Sequence, residues 1–133
     1  MDTSTQNADT ATAGSNSSRR QLAIAGTALI LLTGVIHLAL APEHLEETTY
    51  LGVLFVANFA AAAVAAYGIY QDRDWGWWLG AIVAAVAIVA YIANGTVGLP
   101  MTESEGLLEP AGIVTKVIEF LFLGVAAMWM GKN

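Results

Sequence analysis

The chain has no cysteine, and only 12% of its 133 residues are charged, about half the roughly 25% of an ordinary soluble domain. Without cysteine there is no disulfide framework, no thiolate-held zinc or iron–sulfur centre and no cysteine nucleophile. So few ionic groups cannot cover a soluble domain's surface, which excludes that class. Basic residues are the scarcest: five Lys and Arg against eleven Asp and Glu give a net charge of −6. That leaves too few cations to neutralise a phosphate backbone, so nucleic acid is excluded as a partner. Also missing are a Walker loop, a dinucleotide glycine pattern, His-Glu-x-x-His and Gly-x-Ser-x-Gly. With no serine in the apolar segments, a nucleophilic triad has no candidate and no catalytic residue is assigned.

What is present is apolar length. Hydrophobic residues make up 56% of the chain and mean hydropathy is +0.61. Four apolar segments, 21–41, 50–70, 75–97 and 111–131, are each about 20 residues or slightly longer, enough at about 1.5 Å per residue for a hydrocarbon core of about 30 Å. Runs this long and alanine-rich are helices rather than buried strands. The expected fold is all-α: a four-helix transmembrane bundle over 19–133, multi-pass in the cell membrane. Residues 1–18, a Thr/Ser/Asn/Asp/Ala/Gly tract, lack a large apolar group beyond Met1 and read as a disordered tail.

Arg19 and Arg20 precede the first segment, Arg73 lies in the second connector and Lys132 follows the fourth, while connectors 42–49 and 98–110 contain no Lys or Arg. The positive-inside rule therefore places both termini in the cytoplasm. Tyr67, Tyr70, Trp75, Trp77, Trp78 and Trp129 fall at the same interface, and Tyr50 at the outer one. Ser18-Arg19-Arg20-Gln21-Leu22 also has the form of a twin-arginine export signal, with Ala39-Leu40-Ala41 as a cleavage site. Pro42 directly after the cut, and an apolar run longer than a signal's, favour the arginines as anchors of helix one instead. Gly76, Gly80 and Ala84, with Ala57, Ala61 and Ala65, repeat at four-residue spacing and suit close helix packing, within the bundle or at a dimer face.

Polar residues inside apolar helices need a reason. His37, Asn58, Asn94, Lys116 and Glu119 all fall within about 12 Å of the outer surface, so the helices are expected to converge on one interior ligand-binding pocket. Lys116 and Glu119, three residues apart, share a helical face. They form an ion pair that fixes register, or a tuned carboxylate that exchanges a proton or holds a cation; Lys116 snorkelling outward is the remaining alternative. His37 and His44 are two turns apart, about 10.5 Å on an unbroken helix, too far to ligate one metal. A metal site would draw on His37 with Glu119 and Asn58, or on His44 with Glu43 and Glu47. Haem would have to lie across a dimer and is less favoured than a metal ion. Glu43, Glu46, Glu47, Glu103, Glu105 and Glu109 make the outer connectors acidic, as a solubilising surface or a cation-attracting vestibule. A faint match between halves pairs Leu40-Ala41-Pro42-Glu43 with Gly98-Leu99-Pro100, and Asn58-Phe59 with Glu119-Phe120.

Gly34-Val35-Ile36-His37-Leu38, Ala41-Pro42-Glu43-His44, Gly52 to Phe55, and Gly98-Leu99-Pro100 with the later Glu119 together resemble a family of small, uncharacterised four-helix membrane proteins of haloarchaea and actinobacteria. The resemblance spans roughly residues 34–120 and is most specific at the His-x6-His around Pro42. It implies the four-helix fold and singles out His37, His44 and Glu119, but supplies no reaction. Asn58 departs from it, standing where Gln is expected.

These residues predict a membrane protein with an outward-facing polar pocket that binds a cation, metal or proton. Glu119 supplies charge, His37 a proton or nitrogen ligand, Lys116 tunes Glu119, and Asn58 and Asn94 line the site. The competing expectation is a non-catalytic structural or accessory subunit, in a homo-oligomer or larger membrane complex, whose polar residues specify packing.

Overall fold

The computed structural model describes residues 3–98 and 110–132, with side chains from residue 17 onward. The chain forms α1 (Thr3–Glu47), α2 (Thr49–Tyr70), α3 (Asp74–Thr96) and α4 (Pro110–Lys132). All four are long and apolar enough to cross a membrane, α1 through its Ser17–Glu47 portion. No strand occurs among the described residues. The last three helices begin and end within one residue of the expected limits.

α1 differs at both ends. Its backbone is helical from Thr3, so the polar stretch that composition reads as a tail is continuous with the first span. Once the apolar segment has nucleated a helix, extending it costs little per residue. At the other end the helix does not stop at Ala41 but runs through Pro42 to Glu47. Proline lacks only its own N–H and tolerates helical φ, so one missing bond near a helix end is survivable. The turn that follows holds its own bonds: the His44 ring reaches the Leu40 carbonyl at 3.0 Å and the Thr48 N–H donates to the His44 carbonyl at 2.7 Å. The first connector thus shrinks to Thr48, in extended conformation with φ −148°.

The α2–α3 turn closes in three residues, Gln71–Arg73. Asp72 takes the left-handed conformation at φ 54°, which Asp tolerates better than most residues. Its N–H donates to the Ile69 carbonyl at 2.8 Å, and that of Arg73 to Gly68 at 2.8 Å, so the last carbonyls of α2 are satisfied. α3 ends similarly, with Gly98 at φ 80° donating to the Ala93 carbonyl. The acids Glu103, Glu105 and Glu109 expected in the following connector lie outside the described residues.

Short turns make α1, α2 and α3 successively antiparallel, and α4 runs antiparallel to α3, with Gly112 beside Tyr91 and Trp129 beside Trp77. Each helix packs on two neighbours in the ring order α1–α2–α3–α4. The inward stripe of α1 is Leu22/Ala23, Gly26, Ile30, Thr33/Gly34, His37 and Ala41, spaced three or four residues apart as a helix face requires. On α2 the buried stripe is Ala62, Ala65, Ala66 and Ile69 rather than the expected Ala57–Ala61–Ala65, since Ala57 is exposed. Small residues permit close approach. A Cβ on Gly76 would overlap the Gly68 backbone, and one on Gly80 would come within 2.6 Å of Phe122.

The aromatics expected at the interface divide. Tyr67, Tyr70, Trp75 and Trp78 are exposed, but Trp77 and Trp129 are buried and stacked with ring centroids 5.2 Å apart. Their helical phase points them into the bundle, where Phe122 joins Trp77. The outer surface carries Val64, Ile82, Val86, Val89, Phe120 and Met128, all exposed. Such a continuous apolar surface has no place in water and fits a lipid bilayer.

Candidate functional site

Glu119 is completely buried and Thr33 equally so, each on the inward stripe of its own helix. The Thr33 hydroxyl donates to Glu119 Oε2 at 2.9 Å, tying α1 to α4. The other carboxylate oxygen, Oε1, accepts from Lys116 Nζ on the preceding turn of α4. Three residues of separation on one helix bring the two side chains together, and burial keeps water from competing. Lys116 has two further contacts, both on α3: its ammonium donates to the Ala87 carbonyl at 3.3 Å and lies 5.2 Å from the centre of the Tyr91 ring. The ring face is an acceptable neighbour for a cation. Gly112 makes room for Tyr91, since a Cβ there would come within 2.5 Å of the ring.

His37 lies one turn from Thr33 on the same face of α1. Its Nδ1 is 2.8 Å from the Thr33 carbonyl. A carbonyl only accepts, so Nδ1 carries the proton and Nε2 is the acceptor of the neutral ring. Thr33 therefore touches both candidate proton-bearing groups, His37 through its carbonyl and Glu119 through its hydroxyl. Phe55 of α2 sits between the two histidines, tilted against His37 at 5.1 Å and stacked on His44 at 4.1 Å. All four helices thus reach this half of the bundle: α1 with Thr33 and His37, α2 with Phe55, α3 with Ala87 and Tyr91, and α4 with Lys116 and Glu119.

A family model matches residues 6–130, nearly the whole chain. The chain belongs to DUF7475. This is a family of unknown function, so membership agrees with the small, uncharacterised membrane protein expected from the motifs but assigns no chemistry. No curated protein and no solved structure matches the chain.

Within this DUF7475 member the expected site residues are only partly gathered. His37, Lys116 and Glu119 lie together. Asn58 is half-buried on α2, level with them because Phe55 meets His37 and Ala62 faces Gly34. Its Oδ1 is buried and has no hydrogen-bond partner among the described residues. Asn94 is half-buried near the end of α3. His44 is half-buried, and Glu43 and Glu47 are exposed. Among the described residues no three His, Asp or Glu side chains are close enough to hold one metal ion. The unbroken passage of α1 through Pro42 explains the histidines, because it keeps His37 and His44 two turns apart.

Reading charged and amide groups alone missed Thr33, Tyr91 and the Ala87 carbonyl. Thr33 was signalled in the sequence: it precedes His37 by four residues, the spacing of one helical face. Tyr91 gave a weaker hint as an aromatic away from either predicted interface.

Proposed function

We propose that this protein is a multi-pass protein of the cell membrane whose buried carboxylate, Glu119, binds a proton or a small monovalent cation in exchange for the ammonium of Lys116. The observation that carries the reading is the double anchorage of Lys116. When another cation takes Glu119, the ammonium retains the Ala87 carbonyl and the Tyr91 face, so releasing it does not strand a bare charge in the bundle. Ionisable groups inside membrane helices are costly to keep and are functional candidates for that reason. The unpaired Asn58 Oδ1 adds a neutral acceptor at the same level, and buried polar atoms without partners call for an explanation such as a ligand or ordered water. His37, joined to Glu119 through Thr33, is the group that passes the proton on or completes the shell of the cation.

A multi-ligand metal centre is not part of the proposal, because His37, His44, Glu43, Glu47 and Glu119 are not gathered into a three-ligand group among the described residues. The orientation proposed is termini inward, with the site in the outward half, from the distribution of Arg19, Arg20, Arg73 and Lys132.

A second reading is favoured by a specific observation: both oxygens of Glu119 already have partners within the chain. In that reading the cluster only fixes the register of α1 against α4. Calorimetric titration with sodium or potassium chloride, and proton uptake measured in weakly buffered solution, separate the two. Exchange predicts a binding heat or proton uptake that disappears in Glu119→Gln and weakens in His37→Ala while both variants stay helical. The packing reading predicts no binding in any form and altered unfolding or assembly alone.

A further inference from the structure

At the opposite end of the bundle a cleft of about 180 Å³ is lined by Arg19, Arg20, Ala23 and Asp72. At about 30 Å³ per water it could hold several, and so a phosphate group. The two guanidinium groups are held differently and neither is used up. Arg19 gives one nitrogen to Asp72 Oδ2 at 2.7 Å, while its Nε is buried with no partner among the described residues. Arg20 gives one nitrogen to the Tyr70 carbonyl at 3.1 Å and lies 4.4 Å over the Tyr70 ring. Asp72 cancels only one of the two charges, and its other oxygen, Oδ1, accepts from the Trp129 indole at 3.3 Å. Its role is to orient Arg19. Two guanidinium groups against one carboxylate leave a net positive cleft with unused planar donors.

We propose that this cleft binds a phosphate ester anion, presented as the headgroup of an anionic phospholipid. Arginine's planar fork matches phosphate oxygens bidentately, and holding both guanidinium groups in place beforehand lowers the cost of binding. The location selects the source. Arg19 and Arg20 stand where the apolar span of α1 begins, at headgroup depth, and Ile24 and Tyr70 beside them are exposed to receive acyl chains. Basic residues just outside a span are where anionic lipids concentrate.

Native mass spectrometry of the full chain, with phosphatidylglycerol or phosphatidylcholine added to the detergent, tests this. Wild-type protein should retain one phosphatidylglycerol in preference to phosphatidylcholine. Arg20→Gln should weaken retention on the order of tenfold, the loss of one charge-assisted donor group, whereas Arg73→Gln, outside the cleft, should not. Inorganic phosphate that binds wild type but not Arg20→Gln, without lipid retention, would support the same phosphate site with a soluble source. Equal retention of both lipids with no phosphate binding, or equal losses in Arg20→Gln and Arg73→Gln, would overturn the proposal. Should Arg20→Gln fail to fold, competition on wild type decides: inorganic phosphate must displace the lipid where chloride of equal ionic strength does not, and equal displacement overturns the proposal.

Discussion

Two ion pairs in this bundle are built from similar groups and differ in their surroundings. Arg19–Asp72 joins α1 to the α2–α3 turn with side chains 35% and 34% exposed, whereas Lys116–Glu119 lies on α4 at 12% and 0%. The first is partly wetted and screened, so it contributes little to stability even though it orients Arg19. In the second, removing Lys116 would leave a fully buried carboxylate with only the Thr33 hydroxyl as partner. Burial therefore decides which pair acts as an anchor and which as a constrained, energetically consequential site. The same contrast runs through the two proposed sites: an anion at the exposed end, and a proton or cation at the buried carboxylate.

The largest effect should come from breaking the buried pair on one side. Lys116→Ala should destabilise the protein by about 3–5 kcal/mol in detergent unfolding measurements, because Glu119 keeps only Thr33. Removing both charges together, Lys116→Met with Glu119→Leu, should recover most of that loss; a double variant as unstable as the single would argue against a buried ion pair. Thr33→Val preserves shape but removes the donor to Glu119, and chemical unfolding should show a loss of about 1.5–3 kcal/mol, the range for hydrogen bonds to charged groups. Gly76→Ala places a methyl on the Gly68 backbone, and thermal unfolding should register about 1–3 kcal/mol of overpacking. Arg19→Gln should be smallest, within about 1 kcal/mol, with the difference from wild type shrinking as salt is added.

The spans were legible because twenty-residue apolar runs admit one solution in a bilayer, and Lys116 with Glu119 because spacing on one helix needs no tertiary knowledge. Pro42 misled in a definite way. Proline predicts a helix end from its missing N–H, yet the loss of one backbone bond near the end of α1 leaves the helix continuous to Glu47. Trp77 shows the limit of counting aromatics at an interface: its distance from the segment end suggests the headgroups, while its helical phase buries it. Thr33 was missed because a threonine in a membrane helix commonly bonds its own backbone, as Thr27 does to the Ala23 carbonyl at 2.7 Å. Only the packing of α1 on α4 turns its hydroxyl toward Glu119. Asn58 stood out in the sequence as an amide within an apolar run, but its unpartnered oxygen is a tertiary property that no spacing rule reveals.

The most direct test of the exchange at Glu119 is infrared difference spectroscopy of the detergent-purified protein on acidification and on adding a monovalent cation, compared with Glu119→Gln. Exchange at Glu119 requires a carboxyl band that changes in wild type and is missing from the variant, with both proteins folded. Identical difference spectra for the two would show that Glu119 never leaves its pair with Lys116, and would contradict it.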